Sequence, residues 1–269
     1  MDIHTTDRFV TSGHDGIPLE TTVYARKDSL RTVKAVVSHP YAALGGSKND
    51  PVVKFCARKM AALGIESWTY NYRGATEFYS GHTSWTGAAE QADLRSIVEA
   101  VVAGEPALRR LIVVGYSYGA LVSAAVVQAE RGPEPRHNAR TGAARPGLDE
   151  RERAVDVAYV LISPPLFPVS FFIQLGLGRR EPEIALTRGF VGDRIVARNR
   201  RLLVVVGDQD EFTSAAKYDR WEAAHRRHAV WADGRSSALA VVHVASGRHA
   251  WDYDELTAVW DGHMRAFSL

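Results

Sequence analysis

Leu111-Ile112-Val113-Val114-Gly115-Tyr116-Ser117-Tyr118-Gly119 is the stretch whose reading decides the fold. Leu111–Val114 is apolar at every position, as expected of a strand buried on both faces, and Tyr118–Ala129 reads as the helix that follows. Between them lies the pattern G-x-S-x-G. A strand that turns into a helix over so few residues leaves no room for bulk at the flanking glycines, and it projects the serine hydroxyl above the sheet. At a helix N-terminus the free N–H groups and the helix dipole favour developing negative charge. The five-residue pattern alone is common; the strand before it and the helix after it make it specific, and Ser117 is the candidate nucleophile.

The same alternation extends in both directions. Toward the N-terminus, Val33–Ser38 is a strand, Pro51–Leu63 a helix ended by Gly64, and Ile65–Tyr70 a strand, which together form a βαβ unit. Before these, Arg8–Ser12 and Leu19–Ala25 read as two strands joined at His14-Asp15-Gly16, a hairpin signal. Ala88–Ala103 is a helix leading into the central strand. Toward the C-terminus, strands are expected at Val157–Ile162, Leu202–Val206 and Leu239–Val244, with helices at Ala215–His225 and Tyr253–Phe267. This predicts an α/β fold, a mainly parallel sheet with helices on both faces, and no internal repeat.

Length and composition agree with that class. A chain of 269 residues suits one large α/β domain. An apolar fraction of 46 %, with 33 basic against 31 acidic residues and a net charge of +2, describes a globular protein without a polyanionic partner. Lys and Arg are scattered among Asp and Glu rather than gathered into a stripe, so nucleic acid is not an expected ligand. Cys56 is the sole cysteine, which excludes an internal disulfide and a thiol cluster for zinc. Met1–Val10 lacks the apolar core of a signal peptide, and no stretch approaches the ~20 apolar residues of a membrane span. A cytoplasmic protein is the expectation, with homo-oligomerisation left open.

Two segments interrupt the rhythm. Arg131–Arg153 is rich in Gly, Pro, Arg, Ala and Glu and nearly free of large apolar residues, so it reads as a solvated insertion. Pro164–Arg200 carries Leu166, Phe167, Phe171, Phe172, Ile173 and Leu175 and follows the carboxyl end of a strand, the position of a small lid; a helix packed on the core is the alternative.

With these elements in order, the chain resembles the α/β-hydrolase superfamily over nearly its whole length, in a form with a short lid-like insertion. The resemblance implies the order nucleophile, acid, histidine. Leu202–Val206 runs into Gly207-Asp208-Gln209-Asp210, which puts Asp210 at the family's acid position in a G-x-x-D turn; Asp208, a turn former, is the alternative. Gly247-Arg248-His249 follows Leu239–Val244, which makes His249 the base. Ser38-His39-Pro40-Tyr41 after the strand Val33–Ser38 looks like the family's H-G or H-P turn. In that likeness the backbone N–H groups of Tyr41 and Tyr118 receive the oxyanion. Many members of the closer subgroup have a second histidine where Tyr41 stands, a departure that leaves the backbone donor in place and the substrate open.

The remaining candidates read more plainly. His243, His263 and His14 fall in a strand, a helix and a turn, and the H-x-x-H spacing of His225 and His228 lacks further ligands, so no metal is expected. Gly45-Gly46-Ser47-Lys48 lacks phosphate-loop spacing. Arg73, in Asn71-Tyr72-Arg73-Gly74, matches a family turn whose role is structural. Tyr41, Tyr116, Tyr118, Trp85, Phe171 and Phe172 are candidates for the aromatic walls of a small-molecule pocket, with core packing the alternative for each. The expected chemistry is acyl transfer to water on a carboxylic ester or lactone of a small, partly apolar substrate, with no cofactor. The same scaffold also hosts lyase, cyclase and acyltransferase reactions, and non-catalytic ligand binders, which product analysis distinguishes.

Overall fold

The computed structural model describes residues 2–75, 82–84, 87–126, 154–166, 196–226 and 239–268. In chain order the strands are β1 (His4–Thr11), β2 (Pro18–Ala25), β3 (Val33–Ser38), β4 (Glu66–Tyr70), β5 (Arg110–Tyr116), β6 (Ala154–Ile162), β7 (Val196–Gly207) and β8 (Leu239–Val244). The helices are α1 (Pro51–Ala62), α2 (Ala88–Gly104), α3 (Tyr118–Val126), α4 (Ala215–Arg226) and α5 (Tyr253–Val259). A π-helical turn, Trp260–Met264, carries α5 on into α6 (Arg265–Ser268), where the sequence predicts an unbroken helix. The buried Trp260 sits in this wider turn with its ring edge-on to Phe55.

The strands form one sheet of eight in the order β1-β2-β4-β3-β5-β6-β7-β8. From β4 through β8 every neighbour is parallel; β2 runs antiparallel to both β1 and β4. The alternating side chains of each apolar strand explain the layers on either side. Val36, Leu111, Val113, Val157, Tyr159, Leu202 and Val204 face one way, against Leu94 and Ile97 of α2, Leu121 of α3 and Trp221 of α4. Ala35, Val37, Ile112, Val114, Val160, Leu203 and Val205 face the other, against Val53, Cys56 and Met60 of α1 and Leu256 and Val259 of α5. Both faces are covered, which is why these strands carry no polar alternation.

The largest departures from the sequence reading are at the starts of β1, β6 and β7, where pairing rather than hydropathy sets the boundary. β1 begins at His4, since its register with β2 runs from His4↔Ala25 to Thr11↔Pro18 although nearly all its side chains are exposed. β6 and β7 begin early because Ala154↔Val196 and Val155↔Ala197 pair before an irregularity in the ladder. β7 therefore takes in 196–200, read from sequence as the end of a lid, and Leu166 at the other end of that span is buried. The stretch between, 167–195, and the insertion 131–153 lie outside the described residues. No helix among the described residues is long and apolar enough to cross a membrane.

The antiparallel end is tied to the rest by an ion network centred on the buried Arg73–Asp93 pair. Arg73 donates from Nη2 and Nε to the two carboxylate oxygens of Asp93 on α2, at 2.6 and 2.9 Å, and from Nη1 to Asp15 in the β1–β2 turn at 2.7 Å. Ser12 adds a hydrogen bond to Asp93 at 2.7 Å. Removing one partner of such a buried pair leaves an uncompensated charge, so Arg73→Ala should lower unfolding stability by about 3–5 kcal/mol. Urea denaturation measures this, and a loss below about 1 kcal/mol would contradict the network's role.

Candidate active site

The turn from β5 into α3, which carries Ser117, is built by close backbone approach. Ser117 has φ 54°, a left-handed conformation that costs a non-glycine residue on the order of 1–2 kcal/mol and persists only where the surroundings hold it. Its N–H donates to the Ile162 carbonyl on β6 at 2.8 Å, and its carbonyl accepts from Ala120 at 2.9 Å. A Cβ on Gly115 would overlap the Gly119 carbonyl, and a Cβ on Gly119 would overlap the carbonyl of Ser38 at the end of β3. Both glycines of G-x-S-x-G are thus required by contact, and the second sets α3 against the turn that follows β3.

His249 lies in the connection after β8 and Asp210 in the turn after β7. A Cβ on Gly207 would overlap the Gly247 carbonyl, so the two loops cross backbone to backbone. Gln209 N–H donates to Gly247 carbonyl at 2.9 Å and Asp208 N–H to Val244 carbonyl at 3.1 Å, which sets their relative height. His249 Nδ1 then lies 2.8 Å from Asp210 Oδ2, and its Nε2 lies 2.8 Å from Ser117 Oγ. The other Asp210 oxygen accepts the N–H groups of Phe212 and Thr213 at 2.8 and 2.9 Å. Burial pushes the Asp210 carboxyl up, but His249 and these two N–H groups outweigh it and hold the carboxyl below its ordinary value. An ionised Asp210 favours the tautomer with its proton on Nδ1, which leaves Nε2 free to accept from the serine hydroxyl.

Asp208 points elsewhere. It lies 3.3 Å from His243 Nδ1, and Asp219 and Glu222 of α4 approach the other nitrogen of that ring at 3.7 and 3.6 Å. Among the described residues no group of side chains is arranged to hold a metal ion. His228 lies outside them.

The turn after β3 is organised by His39, which is wholly buried. Its Nδ1 contacts the Pro40 carbonyl at 2.6 Å and its Nε2 accepts the Tyr72 N–H at 2.9 Å, a pattern only the neutral ring with a proton on Nδ1 satisfies. Tyr41 follows, its ring edge-on to Tyr118 with centroids 5.0 Å apart, and Tyr118 in turn meets Tyr72 at 6.0 Å. Among the described residues neither the Tyr41 nor the Tyr118 backbone N–H has an acceptor.

Of the expected pocket residues, Tyr116 is buried beside the His249 ring, with its hydroxyl donating to the His249 carbonyl at 2.8 Å. Trp85, Phe171 and Phe172 lie outside the described residues. The sequence reading passed over Glu211 and Phe212. Glu211 accepts the His249 N–H at 2.9 Å, and Phe212 sets its ring edge-on to the imidazole, centroids 4.4 Å apart, while staying 43 % exposed. The signal for Phe212 was a large aromatic inside the polar run Asp208-Gln209-Asp210-Glu211-Phe212-Thr213.

The geometry is thus a Ser117 hydroxyl in contact with the His249 ring, which Asp210 holds from its other nitrogen, at the carboxyl ends of a mainly parallel sheet. Residues 42–266 match the alpha/beta hydrolase family, and the chain belongs to that family. No curated protein matches the sequence. Its fold is similar to an alpha-beta serine hydrolase homologue from Coxiella burnetii, at 18 % identity over 97 % of this chain and 96 % of that one, TM-score 0.64. It is also similar to a serine hydrolase without lid from Xanthomonas campestris, at 22 % identity over 99 % and 96 %, TM-score 0.63. A Pyrococcus furiosus esterase aligns at 13 % identity over 98 % and 90 %, TM-score 0.65.

Burial lowers the His39 value from near 6.5 to about 4. The unfolded chain therefore takes up this proton at higher pH than the folded one. The contribution is fully present above pH 6.5 and is lost as pH falls toward 4, on the order of 3 kcal/mol across that window. His39→Gln removes the titration. Urea midpoints should fall more steeply between pH 7 and pH 4 for the parent than for the variant, and parallel slopes would refute the assignment.

Proposed function

We propose that this protein is a serine hydrolase that cleaves a carboxylic ester or lactone of a small, partly apolar molecule through an acyl-enzyme. One observation carries the reading: the unbroken chain from Ser117 Oγ through the His249 ring to Asp210, with both hydrogen bonds at 2.8 Å. As Oγ attacks the carbonyl carbon, His249 Nε2 takes its proton, and the carbonyl electron pair moves onto oxygen. The N–H groups of Tyr41 and Tyr118 receive that oxyanion. Collapse expels the alcohol, which takes the proton from Nε2. Water then attacks the acyl carbon, gives its proton to Nε2, and releases the acid as that proton returns to Ser117.

Support for an ester comes from the family and from neighbours described as esterases, among them the Pyrococcus furiosus protein; a Butyrivibrio proteoclasticus neighbour, Est1E, was solved with ferulic acid bound. The half-exposed Phe212 ring beside His249 offers an apolar wall to the leaving group. Trp85, Phe171 and Phe172 are assigned to the remaining walls on sequence grounds, and the substrate is the only partner the reading requires.

Ser117→Ala should abolish labelling by a fluorophosphonate probe and cost ~10⁶ in kcat on any ester the parent turns over. More than a tenth of the activity surviving would sink the serine mechanism. Asp210→Asn should cost about 10⁴ in kcat by favouring the wrong imidazole tautomer, whereas Asp208→Asn, whose side chain is directed to His243, should cost less than about tenfold. The reverse ranking in the same assay would move the acid to Asp208.

A further inference from the structure

Accepting Ser117 as nucleophile, His249 must present its ring to two partners at once from a connection that follows an edge strand. Its side chain reaches Asp210 and Ser117. Its main chain is held as well, and by the immediate neighbours of those residues. The Glu211 carboxylate, one residue after Asp210, accepts the His249 N–H at 2.9 Å. The Tyr116 hydroxyl, one residue before Ser117, donates to the His249 carbonyl at 2.8 Å. All four hydrogen-bonding groups of His249 are thus engaged by two dipeptides, 116–117 and 210–211.

We propose that Tyr116 and Glu211 are positioning residues for the base: they grip the His249 main chain from opposite sides, so that only its ring torsions move during proton transfer.

Several observations favour this over ordinary packing. The two grips come from β5 and from the turn after β7, the elements that carry Ser117 and Asp210, so a shift of either element is passed to the His249 backbone together with its side-chain partner. Tyr116 is buried and burial pushes its phenol well up, which keeps its proton available to the carbonyl. Accepting the His249 N–H holds the Glu211 carboxyl below its ordinary value, so the acceptor stays ionised at neutral pH. The Tyr116 ring also lies beside the imidazole, centroids 5.9 Å apart, while Phe212 meets it edge-on. A main chain free to drift by even a few tenths of an ångström would stretch one of the two side-chain bonds to relieve the other, and near-attack geometry would be lost.

The test uses the full chain with a fluorophosphonate probe, whose reaction at Ser117 needs His249 but not the natural substrate. Tyr116→Phe and Glu211→Ala should each lower the maximal rate of phosphonylation roughly tenfold, with half-saturation by the probe unchanged within twofold. Glu211→Gln, which keeps an acceptor oxygen, should recover most of what Glu211→Ala loses. In the proton NMR spectrum the downfield resonance of the His249 Nδ1–H should move or broaden in Tyr116→Phe and Glu211→Ala and persist in Glu211→Gln. Circular dichroism and melting temperature identify any variant that has simply unfolded, and Glu211→Gln then carries the comparison through its own resonance. Unchanged rates and an unmoved resonance would overturn the proposal, as would a change confined to half-saturation, which would make Tyr116 a contact of the ligand instead. Failure of the parent itself to label at Ser117 would overturn the serine reading, and the positioning roles would fall with it.

Discussion

Backbone touching backbone without intervening side chains is the condition on which this site rests. Gly115 against Gly119, Gly119 against Ser38, and Gly207 against Gly247 are contacts that a single methyl group would break. Through them the carboxyl ends of β3, β5, β7 and β8 converge closely enough for residues far apart in sequence to share hydrogen bonds. The left-handed Ser117 is a consequence of the same crowding. Its strain is offset by the strap to Ile162 and by the packing of α3, which hold the buried hydroxyl against the His249 ring.

A second layer of constraint is polar and at least partly buried, and it reaches the site from the antiparallel end of the sheet. The turn Asn71-Tyr72-Arg73-Gly74 is its hub. The Asn71 side chain accepts the Lys48 N–H and donates to Glu20; the Tyr72 N–H fixes the His39 ring; Arg73 binds Asp93 and Asp15. The likeness to a family turn led to a structural reading of Arg73, and its charge is indeed spent on carboxylates. What stays hidden in a linear reading is that one turn serves the β1–β2 hairpin, α2 and the turn after β3 together.

Legibility followed the physics of each element. Val33–Ser38 and Leu239–Val244 were read to the residue, because strands apolar at most positions announce themselves. β1 was misplaced because its side chains are solvated and only its pairing defines it. Ser117 was visible because strand, glycines and helix all sit within a few residues. Asp210 and His249 needed the family order, since nothing local separates Asp210 from Asp208; only the folded chain directs one to His249 and the other to His243. Glu211 acts through a main-chain N–H, a kind of contact that no residue spacing encodes.

The separation in sequence between the partners has a kinetic meaning. Ser117 and His249 are 132 residues apart, and the strands between them join the sheet through parallel crossovers. Long-range pairing of this kind must pay for loop closure before it is rewarded, and it is slow. Helices α1 and α3 and the β1–β2 hairpin involve near neighbours, whereas the Ser117–His249 contact requires β5, β6, β7 and β8 all in register. During refolding, the Ser117–His249 contact is therefore expected to return last, later than helical content or burial of the central strands, and its formation would report completion of this half of the sheet.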